Sequence, residues 1–121
     1  MVDLRQKELA DWQAANFDNS ELECLSREEL IKTIHILQMA LGIAEEAGEI
    51  AHHVLKGTQH IRGGINGINV KEVVDGVGDC LIYGTQLLTA VDADVEEGIT
   101  STIDSILERN WKENPTGAKK D

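Results

Sequence analysis

Aromatic side chains are scarce in this sequence: two tryptophans, one tyrosine and one phenylalanine in 121 residues. So few leave only a modest aliphatic core, one that oligomerisation would complete. Proline occurs once, at Pro115, and alternating β-branched runs are few, which points away from sheets and toward an all-α domain. The two cysteines, Cys24 and Cys80, form no CxxC, as expected of free thiols in a reducing cytoplasm. No apolar run is long enough for a membrane-spanning helix, and MVDLRQKELADW lacks the apolar stretch of a secretion signal. Basic residues are also few. Eleven Lys and Arg face 22 Asp and Glu, for a formal net charge of −11. That balance disfavours DNA, RNA and anionic membrane surfaces as partners. It leaves open a small phosphorylated ligand held through metal ions.

A chain of 13.3 kDa holds one domain, residues 1–121. A first helix is expected over about residues 3–16, ending at the polar NFDNS. Ser26 and Glu29 form a capping-box pair that opens a second helix, running to about Lys56. Thirty residues at about 1.5 Å each make about 45 Å, long enough to imply a kink near Gly42 or a partner subunit covering the excess. The stretch Gly57–Asn69, with four glycines and two asparagines, breaks the pattern. Asn69 and Glu72 open a third helix to about Val91, and Asp94 and Glu97 a fourth to about Trp111. A loose tail, 113–121, is expected beyond them. The architecture is a four-helix-type bundle with its core over about residues 26–112.

Acids on the two middle helices carry the functional signal. On the second helix Ile43, Ala47, Ile50 and Val54 fall within about 60° of one another and form the expected buried face. Glu46, Glu49 and His53 run along its edge, while Glu45 and His52 point farther round. On the third helix the expected core face is Val73, Val77, Cys80, Gly84, Leu87 and Val91. Glu72 and Asp79 lie at its edge and Asp75 beyond them. Carboxylates beside a core repel one another and lose hydration, and a divalent cation removes both objections. An antiparallel pair of such helices converges on an oxygen-only site suited to Mg²⁺ or Mn²⁺, with substrate phosphates completing the shell. Gly48, Gly76, Gly78 and Gly84 sit inside helices at about 1 kcal/mol each relative to alanine, which close approach of a helix or ligand would explain.

ALGIAEEAGEIAHHVLK resembles the ExxE helix of the MazG-like nucleotide pyrophosphohydrolases, of the all-α NTP pyrophosphatase superfamily. EVVDGVGDCLIYG resembles their second metal-binding helix, usually ExxD, in a phage-type variant, and the resemblance spans about Thr33–Asn114, including ERNWKEN. It implies that Glu46 and Glu49 are metal ligands, with Glu45 an adjacent third acid, and that Asp79 is the Asp of ExxD. The Glu expected three residues before Asp79 is absent, since that position is Gly76. Asp75 looks like its substitute, and Glu72, which also spells ExxD with Asp75, is the alternative.

Arg109, Asn110 and Lys112 match the region where relatives place groups near substrate phosphates, and Lys56 and Arg62 are further candidates. His53 would partner a carboxylate; Gln38 would face the base. The implied activity is Mg²⁺-dependent hydrolysis of a (deoxy)nucleoside triphosphate to the monophosphate and pyrophosphate, for house-cleaning or control of the nucleotide pool. The general base would be Glu45 or Glu49. The implied assembly is a homodimer or homotetramer. Two rivals share these residues. One is a catalytically degenerate helical nucleotide-binding or interaction protein. The other is a di-iron carboxylate protein built on the ExxH of Glu49 and His52, which finds no second ExxH on the third helix.

Overall fold

A computed structural model of the protein describes residues 5–17, 19–59 and 67–116. The described residues form helices and the turns between them, without a strand. The helices are α1 (Gln6–Asn16), α2 (Arg27–Thr58), α3 (Val70–Ala90) and α4 (Val95–Leu107), with a 3-10 turn at Ser20–Cys24. The expected all-α class is the observed one. None of these helices is long and apolar enough to cross a membrane. The chain divides into two units, Met1–Ile34 and His35–Asp121, whose boundary falls inside α2.

In the first unit, α1 is held by pairs along its own surface. Arg5 pairs with Glu8, and Lys7 Nζ donates to Asp11 Oδ2 at 2.9 Å. Trp12 and Phe17 meet edge to face with centroids 5.6 Å apart. No residue of α1 is buried, so these local contacts support it. The Ser26 capping box forms as expected. Ser26 N–H donates to the Glu29 carboxylate at 2.7 Å, and Glu29 N–H donates to Ser26 Oγ at 3.1 Å.

The second unit is built on an antiparallel pairing of α2 with α3. The expected kink at Gly42 is absent: α2 runs unbroken through it, and the glycine instead makes room for a neighbour. A methyl group on Gly42 would lie 2.5 Å from the Tyr83 ring. Gly76 receives Ile50 in the same way, at 2.7 Å, and Gly57 receives Ile68, at 2.5 Å. Between these contacts the Cys80 thiol points at the Ile43 carbonyl, 3.9 Å away. As the α2 residue advances from 42 to 57, its opposite number falls back from 83 to 68, one uninterrupted register.

Only glycines are fully buried in these helices: Gly42 and Gly57 on α2 and Gly76 on α3. The face expected to be buried is therefore corrected. Ile43, Ile50 and Val54 are half-buried and Ala47 is exposed; on α3, Val73, Cys80, Gly84 and Leu87 are half-buried while Val77 and Val91 are exposed. One helix–helix seam covers a narrow strip, and residues a quarter-turn away stay in solvent. Of the interior glycines singled out above, only Gly76 serves close approach, since Gly48, Gly78 and Gly84 have nothing within 4 Å.

Helix ends follow local hydrogen bonding. Asn69 Oδ1 accepts from Glu72 N–H at 3.2 Å, and Asp94 Oδ1 accepts from Glu97 N–H at 2.8 Å, so both expected caps form. The α3–α4 turn is a Schellman motif: Asp92 takes the left-handed conformation at φ 60°, and Ala93 N–H donates to the Leu88 carbonyl at 2.9 Å. The fourth helix ends at Leu107, four residues short of the expected Trp111. Asn110 is the reason. Its side-chain oxygen accepts from the N–H groups of Lys112 and Glu113 at 3.0 and 3.1 Å and starts a separate turn. α3 and α4 touch each other. The start of the first expected helix, most of the Gly57–Asn69 stretch and the end of the tail lie outside the described residues.

The glycine contacts predict opposite effects of one added methyl group. Gly57→Ala, which meets the Ile68 backbone nitrogen at 2.9 Å, should lower unfolding free energy by about 1–3 kcal/mol. Gly98→Ala, with nothing within 4 Å, should raise it by up to about 1 kcal/mol. Urea unfolding at a single protein concentration measures both.

Candidate functional site

The α2–α3 register decides which acids meet. Glu46 lies one turn before Ile50, and its backbone carbonyl borders Gly76 of α3. Its side chain is half-buried. The Glu46 carboxyl is pushed above the ordinary carboxylate range, first by lost hydration and then by the charges of Asp79, Glu45 and Glu49. The charge of Asp79 on α3 thus acts on Glu46 on α2.

Farther along the seam, His53 joins the helices. Its Nε2 lies 3.9 Å from Glu49 Oε2 on its own helix and 3.8 Å from Glu72 Oε2 on α3. Both distances are too long for hydrogen bonds. The His53 side chain is only 20% exposed, against 60% for Glu49 and 47% for Glu72. A groove of about 280 Å³ beside it is lined by His53, Lys56, Gly67, Asn69 and Glu72.

Gly76 occupies the position where the resemblance expects a glutamate. A glutamate there would collide with Ile50, since even a methyl group comes to 2.7 Å. Glu72 is one turn earlier on the same face, with Oε2 3.8 Å from His53 Nε2, and Glu72 and Asp75 are both exposed. The resemblance ranks Asp75 above Glu72; of the two, Glu72 is the one with a contact to His53.

The other candidates stand apart from this cluster or at its rim. Glu45 is exposed and enters only through its charge on Glu46. Lys56 is half-buried and lines the groove. Asn110 is committed to its own turn, and Lys112 is exposed beside it. Arg109 places its guanidinium 5.7 Å from the Trp111 ring centroid, and its buried Nε has no hydrogen-bond partner among the described residues. Arg62 lies outside the described residues. Of the two adjacent histidines, it is His53 that lies 3.9 Å from Glu49, and His52 of the di-iron reading is exposed. Tyr83 and Ile68 are seam residues that sequence reasoning missed. Their signal was available in Gly42 and Gly57, one facing each.

The donors fit Mg²⁺ or Mn²⁺ in kind, being carboxylate oxygens whose mutual repulsion a cation would relieve. Among the described residues no three His, Cys, Asp or Glu side chains are grouped so as to hold a metal ion. A cation beside Glu46 would have to take most of its shell from other ligands, such as phosphate oxygens and water. Compared with known protein families, curated proteins and solved structures, the chain matches none.

The raised Glu46 pKa has a consequence for stability. A carboxyl whose pKa is higher folded than unfolded contributes stability below its unfolded pKa and loses it as pH rises through the folded value. Glu46→Gln should therefore raise the Tm in EDTA at pH 7 and leave it unchanged below about pH 4. Thermal unfolding across that range checks it.

Proposed function

We propose that this chain is a metal-dependent nucleoside triphosphate pyrophosphohydrolase that cleaves a (deoxy)nucleoside triphosphate to the monophosphate and pyrophosphate. The observation that carries the reading is the convergence of Glu46 with Asp79 across an antiparallel helix pair, where like charges and lost hydration raise the Glu46 pKa. Acids at that register of α2 and α3 are the ones that the MazG-like resemblance selects. The chain works in a reducing cytoplasm, with Cys24 and Cys80 as thiols, and as a homodimer or homotetramer.

Glu46 and Asp79 would be the one or two carboxylates that anchor Mg²⁺, or Mn²⁺ in its place, with substrate phosphates and water completing the shell. The bound cation supplies neutralisation of the phosphate charge and acidification of water. Glu49 accepts a proton from the water that attacks the α-phosphorus, with Glu45 as the alternative base. A new oxygen–phosphorus bond forms, the bond from the α-phosphorus to the bridging oxygen breaks, and pyrophosphate leaves with that oxygen. His53, held between Glu49 and Glu72, orients the Glu49 carboxylate. Lys56 at the groove offers a cation to a phosphate. Arg109, Asn110 and Lys112 keep that role only if the turn after α4 is carried to the substrate.

A catalytically degenerate nucleotide-binding protein is the second reading, favoured by Gly76, where packing against Ile50 has displaced the expected acid. Pyrophosphate release from a panel of NTPs and dNTPs, with Mg²⁺ or Mn²⁺ and with EDTA, separates the two. The expected outcome is metal-dependent release with the monophosphate as co-product. Nucleotide binding without release supports the degenerate protein, and single-phosphate release refutes both readings. Glu46→Gln, Glu49→Gln and Asp79→Asn should each lower kcat/KM on the order of 100-fold or more. Glu72→Gln should cost more than Asp75→Asn, because Glu72 is the acid that reaches His53.

A further inference from the structure

Beyond Glu46 along α2, the seam opens into the groove of about 280 Å³ lined by His53, Lys56, Gly67, Asn69 and Glu72. His53 is seven residues past Glu46 and Lys56 ten. The groove therefore lies about 10–15 Å from Glu46 along the helix axis. Side chains on a helix tilt toward its N-terminus, so Lys56 leans back toward His53 and the acids rather than away from them.

Lys56 is half-buried, yet among the described residues its ammonium forms no hydrogen bond or ion pair. In a chain of net charge −11, carboxylates are not scarce, and a partly desolvated cation without a counter-charge is costly. The other charged groups nearby are neighbours of one another: His53 Nε2 stands 3.8 Å from Glu72 Oε2 and 3.9 Å from Glu49 Oε2. At the same rim Asn69 caps the start of α3, which brings the positive end of that helix dipole to the groove. An ammonium and a helix start at one groove suit an anion. An uncharged nucleoside has no use for either.

We infer that this groove receives the β- and γ-phosphates of the substrate, so that pyrophosphate departs into it while the nucleoside monophosphate stays at the Glu46–Asp79 end. The inference rests on the pyrophosphohydrolase reading above and adds to it the direction in which the substrate lies on the seam. The two terminal phosphates carry most of the negative charge of a nucleoside triphosphate, so they are the part for which a cation matters most. When the bond from the α-phosphorus to the bridging oxygen breaks, its electron pair goes to that oxygen, and Lys56 neutralises the pyrophosphate that carries it away. Glu72 also lines the groove, and its carboxylate repels a bare anion. The ligand is therefore pyrophosphate as its Mg²⁺ complex rather than the free ion.

Titration calorimetry of the full chain with magnesium pyrophosphate, and separately with the four nucleoside monophosphates and Mg²⁺, tests it. Lys56→Gln should weaken magnesium pyrophosphate binding about tenfold or more and leave monophosphate binding unchanged. Lys56→Arg keeps the charge and should retain most of the affinity. Arg27→Gln removes the same charge from the exposed first residue of α2 and should change neither ligand. Equal weakening by Arg27→Gln would reduce the effect to net charge and overturn the groove. So would a wild-type chain that binds no magnesium pyrophosphate, or binding indifferent to Lys56→Gln. Loss of monophosphate binding alone in Lys56→Gln would reverse the substrate on the seam and overturn the inference as well. The two readings fail separately. Metal-dependent pyrophosphate release from a nucleotide, with pyrophosphate binding indifferent to Lys56, refutes the groove and leaves the reaction standing. Lys56-dependent pyrophosphate binding without cleavage of any nucleotide supports the groove as a pyrophosphate site and refutes the reaction.

Discussion

Close approach of two backbones, at glycines, is the constraint from which the rest of the second unit follows. Gly42, Gly57 and Gly76 have no side chain to hold α2 and α3 apart, and Tyr83, Ile68 and Ile50 fill the space a Cβ would take. Three such contacts along one seam fix both the distance between the helices and their register. Sliding α3 by one turn would drive Tyr83 and Ile50 against side chains. The register in turn sets Asp79 beside Glu46 and Glu72 beside His53. An arrangement that places like charges together is unfavourable on its own account. It persists because apolar packing, not the acids, determines how the helices meet.

The same seam constrains position 76. Gly76 packs against Ile50, so a larger side chain there would push the helices apart. Glu72 is one turn away on that face, and His53 is where α2 meets it. The histidine thereby stands between an acid of α3 and Glu49 of α2, within 4 Å of each.

Much of this was legible in the sequence, and the limits have physical causes. The starts of α2, α3 and α4 were readable because a capping residue and the acid three positions on are a local device that needs no tertiary information. All three pairs form as read: Ser26 with Glu29, Asn69 with Glu72, Asp94 with Glu97. The end of α4 was not, because Asn110 competes for backbone N–H groups through a side-chain bond that composition does not announce. At the candidate site, periodicity places Glu46 at the edge of the face that packs on α3, and there the side chain is half-buried. That His53 lies near Glu72 was not legible, since only the partner helix sets that distance. Among the glycines, the sequence marks which are interior but not which are opposed: Gly76 is, Gly48 and Gly78 are not.

The depth of burial also bears on how the chain holds its fold. No apolar side chain among the described residues is fully buried, and only glycines are. Hydrophobic stabilisation is proportional to area removed from water, so leucines left at half their free exposure, such as Leu37 and Leu55, contribute little. What holds α2 against α3 is therefore the narrow strip where Tyr83, Ile50 and Ile68 meet glycines. The candidate acids stand on the edge of that strip, so a change that loosens the glycine contacts also shifts Glu46 relative to α3.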